Sequence, residues 1–465
     1  NKTRARITSH SIFDIQHSIF SPPPHMKSPK TFQIVVVAVF VVLLLLGFLG
    51  FSGKLDGILP ASNKKDINYG QVILWGTVPS NMMQTLISGT LRGVKSVSIK
   101  YVEKTSATFD RDFIEALASG GGPDMILLAQ DDILKKLNKL NPISYQTIPE
   151  RDFKNTFLEE GEMFLRPTGI IALPFIIDPI VMYWNRDIFT NALLVSPPST
   201  WSEFYDLAPK ITVRDRSGNI TRSLVAFGEY RNVSNAKEIV SLMMMQAGSP
   251  IVLNQNGALS AALVTESEMN VENPVITAIR FFTEFSKADK TSYSWNRSLP
   301  SSRTAFESGD LALYFGYASE YKSILQKNPH LNFDVAMVPQ AKDAPTKITF
   351  GRIQGLAVVR ASKNPQGALY AARLLSSKEV VAGMSAIMGL PPVRRDLFAV
   401  RPTAAEQVVF YNSALIARAW HDPSPAETNT LFMAMIEDIT TGRLKMTEAL
   451  VVAQNNMTNM LQAFR

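Results

Sequence analysis

From Gln71 to Gln130 the sequence alternates between two hydrophobic periods, and this constrains the fold more than any other feature. VILWG is a short apolar run, SNMMQTLISGTLRG has helical spacing, and SVSIKYVE alternates every second residue. FDRDFIEALASGGG is helical and ends in glycines, and PDMILLAQ is apolar again. Strand, helix, strand, helix, strand implies a parallel sheet, since parallel neighbours need a crossover that packs back on the sheet face. Such sheets bind ligands beyond the carboxyl ends of their strands. Trp75 and Asp131 stand at two of those ends.

A chain of 465 residues is long enough for more than one core. STWSEFYDLAPKI opens with a capping box, Thr200 with Glu203. Residues 236–247 and 272–287 have helical spacing, while NFDVAMVP and GLAVV read as strands. After Pro402 the pattern is wholly helical, and Ala449, Ala453, Met457 and Met460 mark one buried face. DDILKKLNKL reads as a solvated helix face apart from its first acid.

The amino-terminal part differs in kind. Ile34 to Phe51 is an uncharged apolar run of 18 residues, which as a helix spans roughly 27 Å, about one hydrocarbon core. Lys27 and Lys30 precede it, so the positive-inside rule predicts a cytoplasmic amino terminus and a body outside. A cleaved signal peptide is the competing reading, against which stand the length of the run and the lack of a clean small-residue cleavage site. The expected divisions are a leader over 1–31, with Met26 as an alternative start, a membrane anchor over 32–52 and a tether over 53–67. The net charge of +7 is concentrated here: residues 1–30 carry +4, leaving +3 for residues 31–465. A body so weakly basic, without an arginine-rich stripe, is a poor partner for nucleic acid.

Catalytic signatures are scarce. There is no cysteine, which excludes disulfides, thiolate metal sites, a cysteine nucleophile and a lipid-bearing cysteine. Three of five histidines, His10, His17 and His25, lie in the leader, leaving only His330 and His421 for chemistry. SGGGPD at 119–124 ends a helix and lacks the Lys-Ser/Thr of a phosphate-binding loop, so it reads as a cap and turn. No metal and no cofactor is expected. Asp178 with Glu320 would suit glycoside hydrolysis, but sequence spacing leaves their separation open. Aromatic residues gather at turns and strand ends: Trp75, Tyr183, Trp184, Trp295, Tyr317 and Trp420. Each alone is a core residue more often than a ligand contact, though flat rings suit sugar faces. The run IALPFIIDPIVMYWN at 171–185 sharpens the choice, because it holds one acid amid apolar residues.

Four segments in order resemble the family 1 extracellular solute-binding proteins of ABC importers, the maltose-binding-protein-like group. They are the strand ending in Trp75 with FIEALASGGGPDMILL; GIIALPFIIDPIVMYWNRDIF with PPSTWSEFYDLAPKI; FESGDLALYFGYASEY; and GRIQGLAVVRASKNP with GLPPVRRDL and TGRLKMTEAL. The resemblance implies an α/β, two-lobed, periplasmic-binding-protein-like fold of type II with hinge strands, here preceded by one transmembrane helix. It implies an amino-terminal lobe from 68–176 with 354–398, a carboxy-terminal lobe from 180–348 with 399–465, and hinges at 177–179 and 349–353. It implies a monomer held at the cell membrane, not an enzyme, that captures a sugar or oligosaccharide between the lobes and delivers it to permease subunits. The implied ligand contacts are the rings Trp75, Tyr183, Trp295, Tyr317 and Trp420, the acceptors Asp131, Asp178 and Glu320, and the donor Arg352. Rings in a wet cleft would carry little of the fold's stability. A glycan-active enzyme and a sensory or adhesion ectodomain on the same fold remain the alternatives. Removing residues 1–65 is expected to turn a chain that resists a high-salt wash of membranes into a soluble one with a cooperative melt. Fractionation followed by thermal melting checks this, and a molten 66–465 fragment would refute the boundary.

Overall fold

The computed structural model describes residues 34–42, 68–255, 258–264, 273–342, 344 and 346–464, and residues 1–67 and 68–465 form separate units. In the first unit residues 34–42 are helical, with Ile34, Val37 and Phe40 exposed. The rest of the expected 32–52 span, the leader and the tether lie outside the described residues. Among the described residues no helix is long and apolar enough to cross a membrane.

The second unit begins as its periodicity requires. Strands β1 (Gln71–Gly76), β2 (Ser98–Glu103) and β3 (Met125–Ala129) are parallel, with β1 between the other two. Helices α1 (Ser80–Thr90) and α2 (Phe109–Ala118) make the crossovers. Helix α2 ends on Gly120 at φ +69°, and the Gly121 N–H closes back on the Ala116 carbonyl at 3.0 Å. The SGGGPD stretch is thus a helix cap, where only a residue free of Cβ strain takes the left-handed turn cheaply.

The remaining strands are β4 (Leu173–Asn185), β5 (Ile220–Val225), β6 (Leu311–Tyr317), β7 (Phe333–Ala336) and β8 (Thr349–Val358). They complete a ten-stranded sheet whose path runs β2-β1-β3-β8-β4-β6-β5, with two-residue strands at its margins. Strand β4 belongs to both halves. Its residues 173–179 pair antiparallel with β8, whereas Ile180–Trp184 pair with β6 and Met182–Asn185 with β7. Both faces of β4 are covered, so alternation disappears and the run reads as continuously apolar. Burying each large side chain along it stabilises by about 1.5–3 kcal/mol. This is a mixed α/β fold of two lobes joined by long crossing strands.

Past Pro402 the chain is helical over Ala405–Leu415, Pro425–Thr440 and Met446–Gln462. The expectation of an all-helical tail needs one correction: Ala417–Arg418 forms a short strand parallel to Thr349–Phe350 of β8. Two residues carry too little period for a sequence pattern to detect. The contact explains Gly351, where a Cβ would come within 2.7 Å of the Ala417 Cβ.

Behind the crossing strands lies a buried polar region. Glu160 is 2% exposed. Burial pushes its carboxyl up to about 8, against the opposing pull of Arg418. Burial pulls the His421 imidazole down to about 3, and the Arg166 charge adds to that. The two act in opposite pH windows. Glu160 keeps a proton in the fold that the unfolded chain releases above its ordinary carboxylate range, so stability falls as pH rises towards 8. His421 refuses a proton that the unfolded chain accepts below about 6.5, so stability falls as pH drops below that. Between pH 6.5 and 8 only Glu160 of the pair acts. Its expected cost is up to about 1.4 kcal/mol per pH unit, and Glu160→Gln is expected to flatten that slope. Urea melts at several pH values measure it, and an unchanged slope in the variant would show that another group titrates.

Candidate functional site

Strand β4 changes partners between Pro179 and Ile180, and the candidate site is built around that change. On the near side Asp178 stands directly across from Arg352 of β8, and Pro179 from Gly351. On the far side Ile180 stands across from Tyr317, the last residue of β6. Proline has no N–H to give, so it suits the one position where the ladder passes from one neighbour to another. The other crossing strand is held by two side chains. Gln130, buried just past β3, donates its amide to the Gly351 carbonyl at 3.1 Å and accepts from the Ile353 N–H. Thr349 donates its hydroxyl to the Ile180 carbonyl at 2.7 Å.

Asp178 is the polar centre of this region. One carboxylate oxygen accepts the Ser319 N–H at 3.0 Å; the other accepts the Ser319 hydroxyl at 2.7 Å and the Arg352 guanidinium at 2.9 Å. A carboxylate in an apolar strand is thereby satisfied, as burial demands. The Arg352 guanidinium also lies over the Tyr317 ring at 3.5 Å. Burial alone would lower the pKa of Arg352, but Tyr317 and Asp178 outweigh it and hold the group above the ordinary arginine value.

In front of these residues opens a cavity of about 580 Å³. Thr77 after β1, Phe109 of α2 and Asp131 and Lys135 after β3 line it, together with Ser319 after β6 and Pro425 and Ala426 of the Pro425–Thr440 helix. Asp178, Arg352 and Gln354 of the crossing strands form its back. Beside it Asp110 and Asp132 share Lys136, with Lys136 to Asp132 at 2.8 Å. A second groove of about 540 Å³ lies around Asp187, Asn191, Asp310 and His330, and none of the expected contacts line it.

Of the nine expected contacts, the fold brings Asp131, Asp178 and Arg352 to the cavity wall and places Tyr317 beneath Arg352. The other five lie elsewhere. Tyr183 is fully buried and donates its hydroxyl to the Tyr317 carbonyl at 2.6 Å. Trp295 is 1% exposed, with its indole N–H on Asn232 at 3.1 Å. Trp420 is buried, donates to the Ser241 hydroxyl at 3.1 Å and stacks on Phe432. Glu320 accepts from the Tyr317 N–H, the Tyr314 hydroxyl and Arg303, which makes it the anchor of a turn. Trp75 is half-buried, with the Lys104 ammonium 4.1 Å over its ring. The expectation that such rings leave stability untouched is corrected for Tyr317, which is 3% exposed. Period and position cannot separate a wet ring from a dry one, because both follow strand ends.

Sequence reasoning passed over Ser319, Gln130 and Lys135. Only Ser319 had a local signal, since it lies inside the FGYASEY stretch already singled out.

Residues 95–382 match the sequence family described as bacterial extracellular solute-binding protein. No curated protein matches the sequence. Among solved structures, the cyclic alpha-maltosyl-1,6-maltose binding protein of Arthrobacter globiformis is 16% identical with a TM-score of 0.70, over 84% of this chain and 99% of that one. The sugar-binding protein MalE of Xanthomonas citri is 15% identical with a TM-score of 0.68, over 84% and 98%. An ABC transporter solute-binding protein of Thermotoga lettingae, bound with alpha-D-tagatose, is 20% identical with a TM-score of 0.61, over 84% and 100%. At such identities the likeness establishes the fold.

The Tyr317 hydroxyl is buried and has no hydrogen-bond partner among the described residues. An unpaired buried hydroxyl costs roughly 1–3 kcal/mol, so Tyr317→Phe is expected to melt no lower than wild type. Tyr317→Ala is expected to lose about 3–5 kcal/mol through its cavity. Denaturant melts of both variants test the assignment of this ring to the dry wall; a mild alanine effect would place it in solvent.

Proposed function

This chain belongs to the family of bacterial extracellular solute-binding proteins, and we propose that the solute it captures is a carbohydrate. The observation that carries this reading is the cavity behind which both crossing strands run, walled by residues of both lobes. The similar structures carry sugar-binding names or a bound sugar, which supports the same class of solute here.

In this reading the first lobe comprises 68–176 with 354–398 and the second 180–348 with 399–465, bending at 177–179 and 349–353. Contacts that form only when the lobes close shift the population towards the closed form, which delivers its solute to the permease subunits of an ABC importer. Residues 32–52 hold the body outside the cell membrane as a single span, with the amino terminus inside. Asp131, Asp178 and Arg352 contact the solute, and Ser319 ties the second lobe to the back wall. The reading is capture, not turnover. Asp178 and Glu320, the two acids a glycosidase would need, already have their oxygens occupied by Ser319 and Arg352, and by Tyr314 and Arg303.

A thermal-shift series against sugars, polyols and peptides tests the proposal. A saccharide at about 100 times its dissociation constant is expected to stabilise the body by roughly 2.7 kcal/mol. Stabilisation by peptides alone, or by nothing in the series, would sink it.

A further inference from the structure

We propose that the buried ion pair of Lys237 and Asp422 is a positioning device for the solute cavity, and that it acts by fixing Pro425 and Ala426 in the cavity wall. The inference rests on reading that cavity as the solute site and goes beyond it, because neither charged residue lines the cavity. It starts from a piece of wall that cannot hold itself. Pro425 and Ala426 open the helix Pro425–Thr440, and their side chains have no polar atom to anchor them. Residues 419–424 before them form neither helix nor strand. The contacts of the residues around them therefore set where this wall stands.

Those contacts converge on Asp422, which is 3% exposed. One carboxylate oxygen accepts the Ser424 N–H at 2.9 Å, and the other accepts the Lys237 ammonium at 2.8 Å. The Thr428 hydroxyl, one turn into the helix, lies 2.8 Å from the second oxygen. A single carboxylate thus ties the turn to the helix that follows it. Lys237 comes from the helix Ala236–Gln246, and its ammonium also lies 3.5 Å from the carbonyl oxygen of Pro425 itself. On the same helix Ser241 accepts the Trp420 indole N–H at 3.1 Å, and Trp420 stacks on Phe432. The wall is held on both sides, at Trp420 before it and at Thr428 after it.

Stability alone does not account for a charged pair at this place. Desolvating two ions offsets most of their attraction, and apolar side chains of like volume hold such a core as well or better. An apolar pair differs in one respect, which is that it can slide. The ammonium and the carboxylate are bound to their partners along fixed directions. A wall that meets a bound solute has to be placed to within about 0.5 Å. Direction is what the charges add, and the cavity wall is where direction matters.

Lys237→Met combined with Asp422→Leu removes both charges together, so neither ion is left unpaired. Titration calorimetry of the full chain with gluco-, galacto- and manno-configured mono- and disaccharides reads binding, and melting curves read folding. The double variant is expected to melt close to wild type yet to bind the tightest of these sugars at least about 10-fold more weakly. Thr428→Val keeps the shape of the side chain without its hydroxyl and is expected to weaken the same sugar about 3-fold or more. Thr428→Ser keeps the hydroxyl and is expected to retain wild-type affinity. A folded double variant that binds as wild type does overturns the inference and leaves carbohydrate capture standing. If the double variant does not fold, the Thr428 variants decide, and equal affinity of the valine and serine forms overturns it. If wild type binds no sugar of the series, the carbohydrate reading falls and this one with it.

Discussion

The architecture depends on one cross-strand pair. Asp178 and Arg352 face each other where two antiparallel strands pass from one lobe to the other. Neither charge would be tolerable alone at such a place. Together, with Ser319 donating twice to the carboxylate, they fill the polar requirement of an otherwise apolar crossing. Ser319 follows β6 and Arg352 lies in the return strand β8, so three separate pieces of chain converge on one carboxylate. The backbone at that point is equally constrained. Pro179 has no donor to leave unpaired, and Gly351 has no Cβ to strike Ala417.

This pair also divides the charges into two kinds. Those bound within the protein, such as Asp178, Lys136 and Lys237, fix geometry. Asp131, which has no hydrogen bond or ion pair among the described residues, lines the cavity instead. Glu160 and His421, buried behind the crossing, form a third class. They are held neutral by desolvation and tie stability to pH without facing the cavity. A group's position relative to the two crossing strands decides which class it joins.

Much of the fold was legible because the relevant signals are local. The β-α-β-α-β opening, the glycine cap after α2 and the apolar crossing strand are statements about neighbouring residues. The site was less legible because it is made by neighbours remote in sequence. Asp178 could be picked out, since an acid inside a doubly covered strand stands out from its surroundings. Trp295 and Trp420 looked equally prominent, yet their indole N–H groups are answered by Asn232 and Ser241 within the body.

Strand β8 has a consequence for the order in which this molecule can be made. It lies between β3 and β4 in the sheet but follows both in the chain, so its pairing joins residues 125–129 to 354–358. As synthesis proceeds, the first three strands and the near half of β4 emerge with the place between them vacant. That leaves two open strand edges exposed while residues 180–348 are added. Strands β1 to β3 and the near half of β4 therefore cannot close their sheet before residues 180–348 have been produced, and the nascent chain must be kept from pairing elsewhere throughout that interval. A protein that ends as two lobes is, during its assembly, a single cooperative unit closed by its last long strand.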